Sequence, residues 1–336
     1  MQNRQWILAR RPVGDIRDGD LVFQTNPMPT AKKGEVIVKV EWLSQFPTHR
    51  IWMSDIDQYM PPVPLGAPMR GIVSGRVIHS ESDLLEVGAY VMGVGTWSDY
   101  CCEPAGSFSP IPTYPGISNK DIFGQLSVVG TTAYIGMREI GEPKIGETLV
   151  VSGAAGAVGC LAGQLGKVMG CKVVGIAGGK DKCDWLTQEL GFDAAIDYKN
   201  EDVDARVRAL CPEGVDIFFD NVGGEILNTV MGRMNVFGRI VQCGFMSLYN
   251  NDCKDNGPSN YSLVMMKRLT IKGFIVLDHP DKYAEGIKAL AILHQQGRMK
   301  WRYHDVDGLE NADQSARMLF SGKNYGKVML KVAEVD

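Results

Sequence analysis

No long apolar run, no block of basic residues and no C-x-x-C pair of cysteines occur in this 336-residue chain, and each absence narrows what the chain can be. The apolar stretch Leu149–Leu165 is interrupted by Ser152 and Gln164 and is rich in Gly and Ala, so no membrane-spanning helix is expected. The N-terminal residues contain no apolar core of signal-peptide length. Thirty-five Lys and Arg stand against 39 Asp and Glu, a net charge of −4, which argues against nucleic acid as a partner. The eight cysteines (Cys101, Cys102, Cys160, Cys171, Cys183, Cys211, Cys243 and Cys253) show no C-x-x-C spacing. They read as reduced thiols of a cytoplasmic protein, not as a disulfide framework. The five histidines, His49, His79, His279, His294 and His304, form no paired pattern, and Cys101-Cys102 cannot supply zinc-ligand spacing, so no metal is expected. Nucleophile elbow, P-loop and internal repeat are all missing.

What is present centres on Thr148–Gly170. Leu149–Val151 suits a buried parallel strand, Ser152–Gly159 is small and Gly-rich, and Val158–Met169 carries apolar residues at helical spacing. Strand, Gly turn and helix are the first unit of a dinucleotide-binding fold, in which amides at the helix start face a pyrophosphate. The fingerprint is Gly153-x-x-Gly156-x-x-Gly159, weaker than G-x-G-x-x-G taken alone.

The texture changes along the chain. Before about Asp121, short strands are expected at Glu35–Trp42, Gly71–His79 and Tyr90–Gly93, among Pro-rich loops, as in an irregular antiparallel barrel. From Gly124 a small-residue helix is expected, running to Arg138. Strands at Lys172–Ala177, Ala194–Asp197, Val215–Asp220 and Gly238–Gly244 then alternate with helices at Asp181–Leu190, Asp202–Leu210 and Gly224–Met234, predicting a doubly wound parallel sheet. A late strand is expected at Leu269–Leu277, a helix at His279–Gln296, and a last strand at Lys327–Val332 returning to the first domain. The domains are thus set at 1–122 with 298–336 for the barrel-like substrate domain, and 123–297 for the Rossmann domain.

The second strand decides the cofactor. Lys172–Ala177 ends in Gly178-Gly179, with no carboxylate on the strand end; Lys180 and Lys182 lie beyond, with Asp181 between them. That composition favours a 2′-phosphate, hence NADPH over NADH. With no metal and no nucleophile dyad, hydride transfer assisted by a non-metal acid remains.

These residues resemble a known family. The run Gly146–Gly159, Pro68-Met69-Arg70-Gly71, Asp197-Tyr198-Lys199, Asp220–Glu225 (DNVGGE) and Asn324-Tyr325-Gly326-Lys327 are similar to zinc-independent medium-chain dehydrogenase/reductases. The branch is the leukotriene dehydrogenase/prostaglandin reductase group, with plant alkenal double-bond reductases and bacterial curcumin reductase. The resemblance covers nearly the whole chain. It implies a GroES-like barrel plus a Rossmann domain, a homodimer, an active site in the cleft, and NADPH-dependent reduction of the carbon–carbon double bond of α,β-unsaturated aldehydes or ketones. By motif, Lys182 and Tyr198 would hold the 2′-phosphate at Gly178-Gly179. Ala155, Gly156, Ala157 and Val158 would pass the pyrophosphate. Thr132 would be a further cofactor contact, Asn221, Cys243, Gly244, Phe274 and Val276 would border the nicotinamide end, and Asn324 would close over the cofactor. Tyr198 reads equally as a strand-end aromatic, and Asn324 as a turn former.

Tyr261 is the candidate proton donor, with a pocket-wall role as the alternative. Met69 and the loop Thr48-His49-Arg50 would line the substrate pocket. That loop departs from the family: Phe46-Pro47-Thr48-His49-Arg50 stands where Asp-Pro-Tyr-Met-Arg is usual. The change removes an aromatic wall, a hydroxyl and a carboxylate, and His49 introduces a group that titrates near neutral pH. A quinone reductase on the same scaffold and a catalytically silent NADPH sensor are the alternative functions.

Overall fold

The computed structural model describes residues 2–254 and 257–334. They divide between two compact units, one within 1–124, 249–252 and 303–336, the other within 125–248 and 253–302.

In chain order, the first unit begins with strands β1 (Gln2–Leu8) and β2 (Leu21–Pro27), an antiparallel ribbon. Then come β3 (Glu35–Ser44), helix α1 (Thr48–Trp52), β4 (Arg70–Ser80), β5 (Tyr90–Thr96), β6 (Tyr100–Pro104), β7 (Phe108–Pro110) and the one-turn α2 (Asn119–Asp121). Strand β3 is the hub. It pairs antiparallel with β4 along its length and with β6 over Glu35–Lys39, through bulges between Ile37 and Val38 and between Val40 and Trp42. Bulges bend a strand and strengthen its twist, which lets one strand serve several neighbours. Its buried face carries Val36, Val38, Val40 and Leu43 at the unit's core.

The second unit opens with α3 (Val128–Ile135), flanked by π-helical turns at Ile122–Leu126 and Gly136–Gly141 in place of the single helix expected over Gly124–Arg138. Next follow β8 (Thr148–Ser152), α4 (Ala157–Val168), β9 (Lys172–Ala177), α5 (Lys180–Gln188), β10 (Ala194–Asp197), α6 (Val203–Leu210), β11 (Val215–Asp220), α7 (Gly224–Arg233) and β12 (Met234–Gln242). The last elements are α8 (Leu263–Met266), β13 (Thr270–Gly273) and α9 (Tyr283–Gln295). The six strands form one parallel sheet in the order β10-β9-β8-β11-β12-β13, a doubly wound arrangement. Leu149–Val151 and Phe218–Phe219 are fully buried at its centre, as strands covered on both faces require.

The strand expected over Leu269–Leu277 is shorter. It ends at Gly273, and Val276–Asp278 turns as a 3₁₀ helix. The helix expected from His279 starts at Tyr283, because Pro280 opens a separate 3₁₀ turn first.

The chain then returns to the first unit through β14 (Tyr303–Asp307), α10 (Ala312–Ser321) and β15 (Lys327–Lys331). Strand β15 pairs with the end of β3, so the sheet reads β14-β15-β3-β4-β5-β7. Among the described residues, no helix is long and apolar enough to cross a membrane.

Candidate functional site

The head of α4 is built for close approach. Gly156 is its N-cap and offers no side chain to the first-turn amides, which stay available for an anion. Gly153 adopts φ +57, and a Cβ on Gly159 would lie 2.4 Å from the Gly153 carbonyl oxygen. The first helical turn therefore packs on the turn's own backbone, and only glycine fits at 159. Ala155, Gly156, Ala157 and Val158 all belong to this turn.

Across the sheet, Asp220 organises the ends of β8, β11 and β12. Its fully buried carboxylate accepts from Ser152 Oγ (2.6 Å), the amides of Val222 and Gly223, and Gln242 Nε2 (3.1 Å). Burial raises its pKa against the pull of those donors. Asn221 donates through Nδ2 to the Ser152 carbonyl at 2.7 Å, closing β11 onto β8. The amides of Cys243 and Gly244 bond the Asp220 carbonyl. Burial, then the Asp220 charge, pushes the Cys243 thiol up to about 12, so it is no thiolate. Asp220 was not singled out in the sequence as a site residue, and the signal was its place at the head of DNVGGE.

At the end of β9, Gly178 and Gly179 turn the chain into α5, and Gly179 takes φ +97. A Cβ on Gly178 would meet the Tyr198 ring at 2.9 Å and Lys199 Cε at 3.0 Å. Asp197 Oδ1 accepts from the amides of Gly179 (2.7 Å) and Lys199 (3.1 Å) and fixes this corner. The half-buried Lys182 ammonium is pushed down by burial, then by the charges of Lys199 and Arg302. The corner is basic, tyrosine-covered and glycine-floored, which fits a phosphate. Thr132 bonds the Val128 carbonyl on α3, and Phe274 packs beside Gly136 and Phe219. Val276 is half-buried at the 3₁₀ turn. Tyr261 is 64% exposed, in a turn whose Asn260 is anchored to the Asn228 carbonyl.

In the first unit the structure places Met69, His49 and Arg50 in the interior. Arg50 donates to the carbonyls of Pro12 (3.0 Å) and Gly14 (3.0 Å) and to Ser54 Oγ, which in turn bonds Asp252. His49 Nδ1 lies 3.1 Å from Gln45 Oε1, and the Gln45 amide nitrogen donates to Ser315 Oγ and the Ala312 carbonyl. That arrangement makes Gln45 Oε1 the acceptor and Nδ1 the protonated nitrogen. Burial, then the charge of Lys327, lowers the His49 pKa to about 3. The expectation that His49 titrates near neutral pH is therefore corrected: no water reaches the ring to solvate its charge.

The loop also regains what Thr48 appeared to give up. Tyr59, 42% exposed, hydrogen-bonds Thr48 Oγ1 and accepts from Trp52 Nε1 at 3.1 Å. An aromatic face and a phenol thus stand beside Thr48, supplied from eleven residues further along, where no local motif marks them. Asn324 bonds the Gly326 carbonyl across its own turn at 3.4 Å. Among the described residues, no group of three or more His, Cys, Asp or Glu is placed to hold a metal ion.

Comparison with known proteins places both units. Residues 4–111 match the family model described as the N-terminal domain of oxidoreductase, and residues 157–291 match that of zinc-binding dehydrogenase. The chain is 36% identical over 340 residues to the NADPH-dependent curcumin reductase of Escherichia coli, spanning 100% of this chain and 98% of that protein. It is 34% identical over 343 residues to an NADP(+)-dependent 2-alkenal reductase of Nicotiana tabacum, covering 99% and 98%. The crystal structure of CurA in complex with NADPH from Vibrio vulnificus superposes with a TM-score of 0.92 at 36% identity, covering 99% and 100% of the two chains. The chain belongs to the medium-chain dehydrogenase/reductase family, in the zinc-independent group that includes the curcumin and alkenal double-bond reductases.

Proposed function

We propose that this protein reduces the carbon–carbon double bond of α,β-unsaturated aldehydes or ketones with NADPH. The observation that carries the reading is the basic corner at Gly178-Gly179, covered by Tyr198 and flanked by Lys182, on the same sheet edge as the bare amides at the head of α4. Lys182 and Tyr198 hold the 2′-phosphate, and the amides of Ala157 and Val158 hold the pyrophosphate. Thr132 would be a further cofactor contact, Asn221, Cys243, Gly244, Phe274 and Val276 would border the nicotinamide end, and Asn324 would close over the cofactor. When bound, NADPH supplies the hydride that the β-carbon accepts.

The protein's part is then electrostatic. Negative charge grows on the carbonyl oxygen, and a positioned hydroxyl there stabilises the enolate. Tyr261 delivers a proton to the α-carbon, directly or through water. An assay of NADPH oxidation with an aryl enone tests the proposal. The expected product gains two hydrogens and keeps its carbonyl. Consumption with quinones alone would move the protein to the quinone reductases, and tight NADPH binding without turnover on any acceptor would make it a sensor.

The same reading makes the protein a cytoplasmic homodimer. The support lies in β13, an edge strand of the parallel sheet whose four residues are all exposed, with Ile271 among them. An unprotected edge strand is a template for another strand.

A further inference from the structure

We propose that Arg302 is a third cation for the 2′-phosphate of NADPH and a determinant of preference for NADPH over NADH. The assignment rests on the cofactor reading above.

Arg302 lies 120 residues beyond Lys182, outside every motif of the nucleotide site. Its position is nonetheless fixed from several sides. Gln164 on α4 grips the backbone of Lys300 twice, donating to its carbonyl at 2.8 Å and accepting from its amide at 2.8 Å. Trp301 stacks on His294 at 4.1 Å, and His294 Nδ1 meets the Met299 carbonyl at 2.9 Å. The segment 299–302 is thus docked on the second unit, and the Arg302 guanidinium lies 4.0 Å over the ring of Trp185. Trp185 is buried on α5, one turn after Lys182, so both side chains project from one face of that helix. The stacked guanidinium is thus held against the helix that carries Lys182, while Lys199 and Tyr198 lie against Gly178, just before that helix's N-cap.

Three cations therefore gather at one corner, where the Lys182 pKa is lowered first by burial and then by the charges of Lys199 and Arg302. Asp184 pairs with Lys180, and Asp197 accepts backbone amides and Asn200. Gathering like charges at a helix N-terminus costs stability, and a dianionic phosphate there offsets that cost. A planar guanidinium preorganised by stacking is suited to such an anion. The nicotinamide half of the cofactor gains nothing from it, so the contribution falls on NADPH and not on NADH.

Direct binding by calorimetry and fluorescence, using the full chain, tests the assignment with NADPH, NADH, 2′,5′-ADP and 5′-AMP as probes. Arg302→Gln should weaken NADPH and 2′,5′-ADP about tenfold while leaving NADH and 5′-AMP within about twofold. Arg302→Lys, which keeps the charge but not the stacked plane, should recover part of the loss, and thermal melts check that both variants fold. Equal losses for phosphorylated and unphosphorylated probes, or no loss, would overturn the assignment and leave Arg302 a packing partner of Trp185. A parent protein that binds NADH as tightly as NADPH would overturn the cofactor reading, and this assignment with it.

Discussion

His49 is a histidine that the fold keeps neutral. Its ring is enclosed by Phe46, Trp52 and Trp97, and Lys327, buried with it, donates to the Gln45 carbonyl at 2.6 Å. The folded pKa of about 3 lies below the ordinary 6.5, so between those values the native state binds fewer protons than the unfolded chain. Stability is full above about pH 6.5 and falls as pH drops through it, by about 1.4 kcal/mol per pH unit. His49→Met, which restores the family's usual residue, should gain about 2 kcal/mol relative to the parent between pH 7.5 and pH 5. Urea denaturation at both pH values checks this, and an unchanged difference would mean that His49 does not titrate on unfolding as described. The sequence marked residue 49 as unusual but held no record of its burial. A histidine's charge state is set by neighbours such as Gln45, Trp97 and Lys327, and Lys327 lies 278 residues away.

At the scale of elements, the parallel sheet was legible and the β unit only partly so. Strands β8 to β11 are short apolar runs closed by Gly or Asp, and a helix follows each, so local pattern and final pairing agree. Strands β1 and β2 carry Gln, Asn and Arg among their apolar residues, and they become strands by pairing with each other. Such pairing is invisible to a local window. Strand β14 was missed for the same reason, whereas helix α10 was legible, its buried Ala312, Ser315, Ala316 and Leu319 recurring at helical spacing. The site divides likewise. The glycine turns, the Asp197-Tyr198-Lys199 run and the DNVGGE corner could be read directly, whereas Tyr59 and Arg302 enter through tertiary packing. Gly159 is the element-level test. Gly159→Ala should cost about 1–3 kcal/mol and weaken NADPH binding, because its Cβ would press on the Gly153 carbonyl. Gly106→Ala, with nothing within 4 Å of its Cβ, should be close to neutral in the same thermal melts. Equal tolerance at both positions would remove close backbone approach as the reason for the fingerprint.

For the whole molecule, assembly and chemistry are the two claims. Light scattering should give twice the 36.9 kDa of one chain, and Lys272→Pro on the exposed edge of β13 should return it to one. A parent protein of single mass would place that edge outside any dimer. The chemistry is tested most directly by NADPH carrying deuterium in its transferable position, given to the protein with an α,β-unsaturated ketone, and by locating the label in the product. The account predicts deuterium on the β-carbon of a saturated ketone. Deuterium on the carbinol carbon of an allylic alcohol, with the double bond intact, would contradict it.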